Sequence, residues 1–93
     1  MSEKSKAIVS VVGMDKPGIV ATVSTALAEN KVNITDISQS YAREFFTMIM
    51  VVEIDKDVIT LKALDKKLKK AGEEIGVFVS IQHEDIFRAM HRI

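Results

Sequence analysis

The sequence predicts one α+β domain, a four-stranded antiparallel sheet with two helices on one face and a short C-terminal helix. Three observations lead there. Short β-branched runs closed by turn residues mark strands, apolar residues at three- and four-residue steps mark helices, and the two kinds of segment follow one another in the order β-α-β-β-α-β.

The first strand is Lys6 to Gly13, a run too short for a stable helix and ended by glycine. From Pro17 to Asn30, Ile19, Val20, Val23, Ala26 and Leu27 share one helical face. Proline suits the first turn, and Asn30 tolerates the left-handed conformation that ends a helix. Val32 to Tyr41 forms the second strand; its parity breaks between Ile34 and Ile37, which predicts a bulge or a late strand start. Ala42 to Glu44 is a hairpin connection without glycine. In Phe45 to Ile54 both alternating sets are largely apolar, so this strand is expected to be central and covered on both faces. Thr60 to Ala71 places Leu61, Leu64, Leu68 and Ala71 on one stripe, with Gly72 where a C-terminal cap belongs. Val77, Val79 and Ile81 give a fourth strand with one inward face. Glu84 to Arg92 has acids first, bases last and Ile86, Phe87 and Met90 on one side, so a terminal helix follows. This order is the split βαβ arrangement of ferredoxin-like folds. Two helices cover one sheet face only, and self-association, as a homodimer, is expected to cover the rest.

Ninety-three residues suit a single domain over 1–93, with residues 1–5 expected as a flexible N-terminus. An apolar fraction of 47% with 28% charge lies in the globular range. Thirteen basic residues balance thirteen acidic ones, so no net field favours nucleic acid or an anionic membrane. Absence of cysteine removes disulfides, thiolate zinc sites and cysteine nucleophiles. The start, MSEKSK, lacks a signal-peptide core and no apolar run approaches a membrane span, so a cytoplasmic location is the default expectation.

Chemistry has one inviting place. Gly13-Met14-Asp15-Lys16-Pro17-Gly18-Ile19-Val20 joins the first strand to the first helix, whose start leaves unpaired N–H groups that favour a carboxylate. Gly18 keeps bulk away, and Asp15 can meet an ammonium group. The bland alternative stands beside this: Asp15 caps the helix and Gly18 packs on a strand. Asn33, read from the sequence alone, is a polar residue that opens a strand or closes a turn. His83 and His91 lie eight residues apart, no standard ligand spacing, so neither a metal nor a cofactor is expected. Asp36 and Ser38 read as the solvent side of an edge strand; Gln39 is open between that and the cleft.

The segment GMDKPGIVATVSTALAENKVNITDISQ resembles an ACT domain, a regulatory ligand-binding module of amino-acid metabolism, and the element order agrees over nearly the whole chain. With I-F-x-x-M-H-R-I at its end, the chain is similar to small free-standing single-ACT proteins, and to the ACT segments of glycine-cleavage regulators and formyltetrahydrofolate deformylase. The resemblance implies amino-acid binding and dimerisation without catalysis. It also implies a ligand set of Asp15, Pro17, Gly18 and Ile19 from the turn with Asn33 and Ile34. Serine-binding members usually carry asparagine at the first position and histidine two residues earlier; Asp15 and Gly13 stand there here, so no particular amino acid is implied. An RNA-recognition module, with the same element order, needs stacking aromatics that the first strand lacks. A phosphatase of this fold needs an arginine where the loop offers Lys16. A protein-interaction module without a small ligand, dimerising through its sheet, is the remaining alternative.

Overall fold

The computed structural model describes residues 4–90. Its elements are β1 (Lys4–Met14), α1 (Ile19–Glu29), β2 (Asn33–Ala42), β3 (Phe45–Asp55), α2 (Leu61–Ile75), β4 (Phe78–His83) and α3 (Glu84–Met90). The sheet order is β2-β3-β1-β4, with every neighbouring pair antiparallel. This is the ferredoxin-like arrangement, with β2 and β4 at the edges.

The core lies between this sheet and the two long helices. Ala7, Val9 and Val11 of β1 meet Val52, Met50 and Met48 of β3 in register, and Ile19, Val23, Leu27, Leu64 and Leu68 close over them. The expected bulge is present at Thr35, where the pairing with β3 shifts between Ile34 and Asp36. It rotates the strand so that Ile34 and Ile37 both face the helices, opposite Val52 and Met50. The glycine-free hairpin turns through Arg43, whose φ is 59°.

Several boundaries differ from the sequence expectation for local reasons. Lys4 and Ser5, placed in the flexible tail, already pair with Asp55 and Ile54. Pro17 precedes α1, whose N-cap is Gly18. Asn30 has φ −104° and ends α1 by donating its side-chain amide to the Ala26 carbonyl at 2.7 Å; Lys31, φ 57°, takes the left-handed position. Gly72 is not a cap. It is buried inside α2, where a Cβ would come 2.7 Å from the Val77 carbonyl oxygen and from Val79 Cγ2, so its role is the close approach of β4. The cap is Gly76, φ 72°. The N-terminus of α2 is capped by Thr60, which accepts from Ala63 N at 3.1 Å.

The largest correction concerns β3, central as expected but covered on one face only. Phe46, Met48, Met50, Val52 and Ile54 are buried, whereas Phe45 and Ile49 of the other set are about half exposed. In α3, Ile86 is 55% exposed while Phe87 is half-buried; His91 and Arg92 lie outside the described residues.

Candidate functional site

The β1–α1 turn follows from three local causes. Asp15 leaves the end of β1 with its N–H donated to the Glu44 carbonyl at 2.8 Å, which ties the turn to the β2–β3 hairpin. Lys16 reaches back over the end of α2: its Nζ lies 3.0 Å from the point where a Cβ on Gly76 would stand, at the partially negative end of that helix. Gly18 then turns the chain at φ 88°, and its carbonyl accepts the first helical bond from Thr22 N at 2.9 Å.

That conformation is itself what calls for glycine at position 18. Nothing lies within 4 Å of a Cβ placed there, so Gly18 packs on no strand, and its positive φ is one that side chains resist. Asp15 does not cap the helix either: α1 has no side-chain cap, and the exposed Asp15 carboxylate has no hydrogen bond or ion pair among the described residues. The first amides of α1 therefore open onto a surface with an unengaged carboxylate beside it. Pro17 is exposed at this turn, and Ile19 is 2% exposed with its side chain in the core, so only the Ile19 backbone faces the turn.

Asn33 and Ile34 sit elsewhere. Asn33 is exposed at the start of β2 and donates Nδ2 to Glu53 Oε1 at 3.2 Å; Ile34 is half-buried against the core. Asn33 pairs with Glu53, while Met14, next to Asp15, pairs with Phe45 at the far end of β3. Eight residue steps along β3 separate those partners, about 27 Å at ~3.4 Å per residue. Within one protomer the structure thus brings Asp15, Pro17, Gly18 and Ile19 together, and sets Asn33 and Ile34 apart at the other end of α1.

Among the residues left open, Gln39 shares the helix side of β2 with Met48, exposed and remote from Asn33, and Ser38 lies on the open face beside Ile49. Asp36 Oδ1 accepts from Ile37 N at 2.9 Å. Hollows of about 490 and 340 Å³ lie between α1 and α2, and one of about 230 Å³ lies between the starts of β1 and α2; none is lined by Asp15, Gly18 or Asn33. Glu44 and Glu53, which hold the turn and Asn33, carry no motif and became visible only through strand register.

Comparison with known proteins agrees with this architecture. A family model described as the ACT domain matches residues 5–82. A UPF0237 protein of Methanocaldococcus jannaschii is 54% identical over 89 residues, covering 96% of this chain and 99% of the relative. An ACT domain protein from Streptococcus pneumoniae is 42% identical with TM-score 0.79, over 94% of this chain and 98% of its own. The fold alone is shared with a candidate glycine cleavage system transcriptional repressor (20% identity, TM-score 0.78, 88% of this chain, 47% of that one). It is shared likewise with a formyltetrahydrofolate deformylase from Pseudomonas putida (16%, TM-score 0.74, 83% and 28%).

Proposed function

This chain belongs to the ACT domain family, and on that premise we propose that it is a non-catalytic module that binds a free amino acid and works as a homodimer. Family membership implies a regulatory small-molecule-binding domain. The observation that carries the finer reading is the unengaged Asp15 carboxylate beside the open, glycine-led start of α1. A zwitterion matches both charges, its carboxylate accepting from the first amides of α1 and its ammonium donating to Asp15.

The separation of Asn33 from that turn supports the dimer. The outer edge of β2 is free, and a two-fold axis perpendicular to the sheet can pair it antiparallel with β2 of a second copy. The Asn33 end of one protomer then lies level with the Asp15 end of the other, so each complete site takes its turn from one copy and Asn33 and Ile34 from the next.

A thermal-shift panel of the common amino acids tests the reading. A ligand that binds only the folded state contributes about 2.7 kcal/mol at a hundredfold excess over Kd. At least one amino acid is expected to raise the melting temperature of the parent and not of Asp15→Asn. A flat panel would leave the protein-interaction reading, which the exposed Phe78 and Ile49 of the open sheet face favour.

A further inference from the structure

The core-facing side of β1 runs Ser5, Ala7, Val9 and Val11, so its side chains shrink toward the start of the strand. Ser5 pairs with Ile54 of β3, and Ala7 pairs with His83 of β4. Where α2 begins, over this end of the sheet, so little side chain lies beneath it that a hollow of about 230 Å³ is left. It is lined by Ser5, Ile54, Lys56, Thr60, Leu61 and His83. Ile54 is 2% exposed and Leu61 is half-buried against the core, so the inner wall is apolar and continuous with the hydrophobic interior. An apolar cavity of about 150 Å³ is already large enough to take benzene.

The polar groups of the lining all have hydrogens to donate. Thr60 Oγ1 accepts from Ala63 N at 3.1 Å, which leaves its own hydrogen to give. His83 Nδ1 accepts from Asp85 N at 3.2 Å, so the neutral ring holds its proton on Nε2, and a charged ring holds one there as well. Ser5 adds a hydroxyl and Lys56 an ammonium, and none of the six lining residues is acidic. The neighbouring acid, Asp85, approaches the imidazole from its Nδ1 side, with Oδ2 at 3.7 Å. An apolar interior ringed by donors and a positive charge selects an apolar body that ends in a negative, acceptor-only head. A free α-amino acid suits it poorly, because its ammonium would meet no carboxylate in the lining.

We propose that this hollow is a binding site for a small monocarboxylate with an apolar body and no ammonium group. The site is independent of the amino-acid reading of the β1–α1 turn. Nine residue steps along β1 separate Ser5 from Met14, about 31 Å at ~3.4 Å per residue.

An amide NMR titration of the full chain with benzoate tests this, with benzyl alcohol and benzylamine as the neutral and cationic counterparts. Benzoate should shift the amides of Ser5, Ile54, Leu61 and His83 saturably and leave those of Asp15, Gly18 and Ile19 in place. It should bind at least about tenfold more tightly than either counterpart, the value of one charged hydrogen bond. Ser5→Leu, which fills the hollow from β1, should weaken benzoate at least about tenfold, whereas Ser5→Ala, which keeps the space, should change it less than about threefold. Lys56→Met, at an exposed position that keeps the fold if Ser5→Leu does not, should bring benzoate and benzyl alcohol close to parity. Equal binding of the three probes, shifts confined to the β1–α1 turn, or a Lys56→Met variant with the parental preference would each overturn the proposal. So would parental benzoate affinity in a folded Ser5→Leu. An amino-acid response lost in Asp15→Asn and kept in Ser5→Leu belongs to the turn, so the two readings fail separately.

Discussion

The two faces of the sheet are built from the same four strands and come out opposite. On one face Phe46, Met48, Met50 and Val52 disappear under α1 and α2; on the other Phe45 and Ile49, one residue away along the same strand, stay about half exposed. Alternation sends successive side chains to opposite sides, so a strand apolar at every position holds two separate instructions. The buried set specifies the protomer. The open set is left uncovered by the chain's own helices.

That difference is open to direct attack. Phe46→Ala should have the largest effect, about 3–5 kcal/mol of lost stability in denaturant titration, because a ring 2% exposed leaves a cavity among packed neighbours. Gly18→Val comes next. With open space around it the cost is conformational, on the order of 1–2 kcal/mol for an L side chain at φ 88°, and more for a branched one. The variant should remain folded by circular dichroism and lose amino-acid binding, since the turn must relax to a negative φ. Wild-type stability would show that the turn adapts freely. Phe78→Ser should be smallest: under dilution that separates the chains, its unfolding free energy should lie within about 0.5 kcal/mol of the parent. A Phe78 effect as large as that of Phe46 would mean that the open face is part of the protomer's own core.

Element order, the bulge in β2 and the inward residues of β4 were legible because each rests on local periodicity or on its interruption. The misplacements share a cause. Gly72 stands where a cap would, after an apolar stripe; only the position of β4 over α2 reveals that its missing Cβ makes room for Val77 and Val79, and that Gly76 caps. Asn30 is the better left-handed residue by type, yet its amide is engaged with Ala26, so Lys31 turns instead. For β3, composition names two apolar faces and cannot say whether the same chain covers both. Asp15, Gly18 and Asn33 were nameable from turn chemistry and family resemblance. Their separation was not, because it follows from the β1–β3 and β2–β3 registers, which no local pattern encodes.

The most direct test of a site shared between two chains is complementation. Asp15→Asn should lower affinity for the amino acid found in the panel about ten- to hundredfold, the value of a charged hydrogen bond, and Asn33→Ala should lower it less. The two variants are dissociated, mixed in equal amounts and titrated by calorimetry. If one protomer supplies the turn and the other Asn33, half the dimers are mixed and each regains one intact site, so about a quarter of all sites should bind with parental affinity. A mixture that shows only the two weakened affinities, with no parental component, would contradict a site built across two chains.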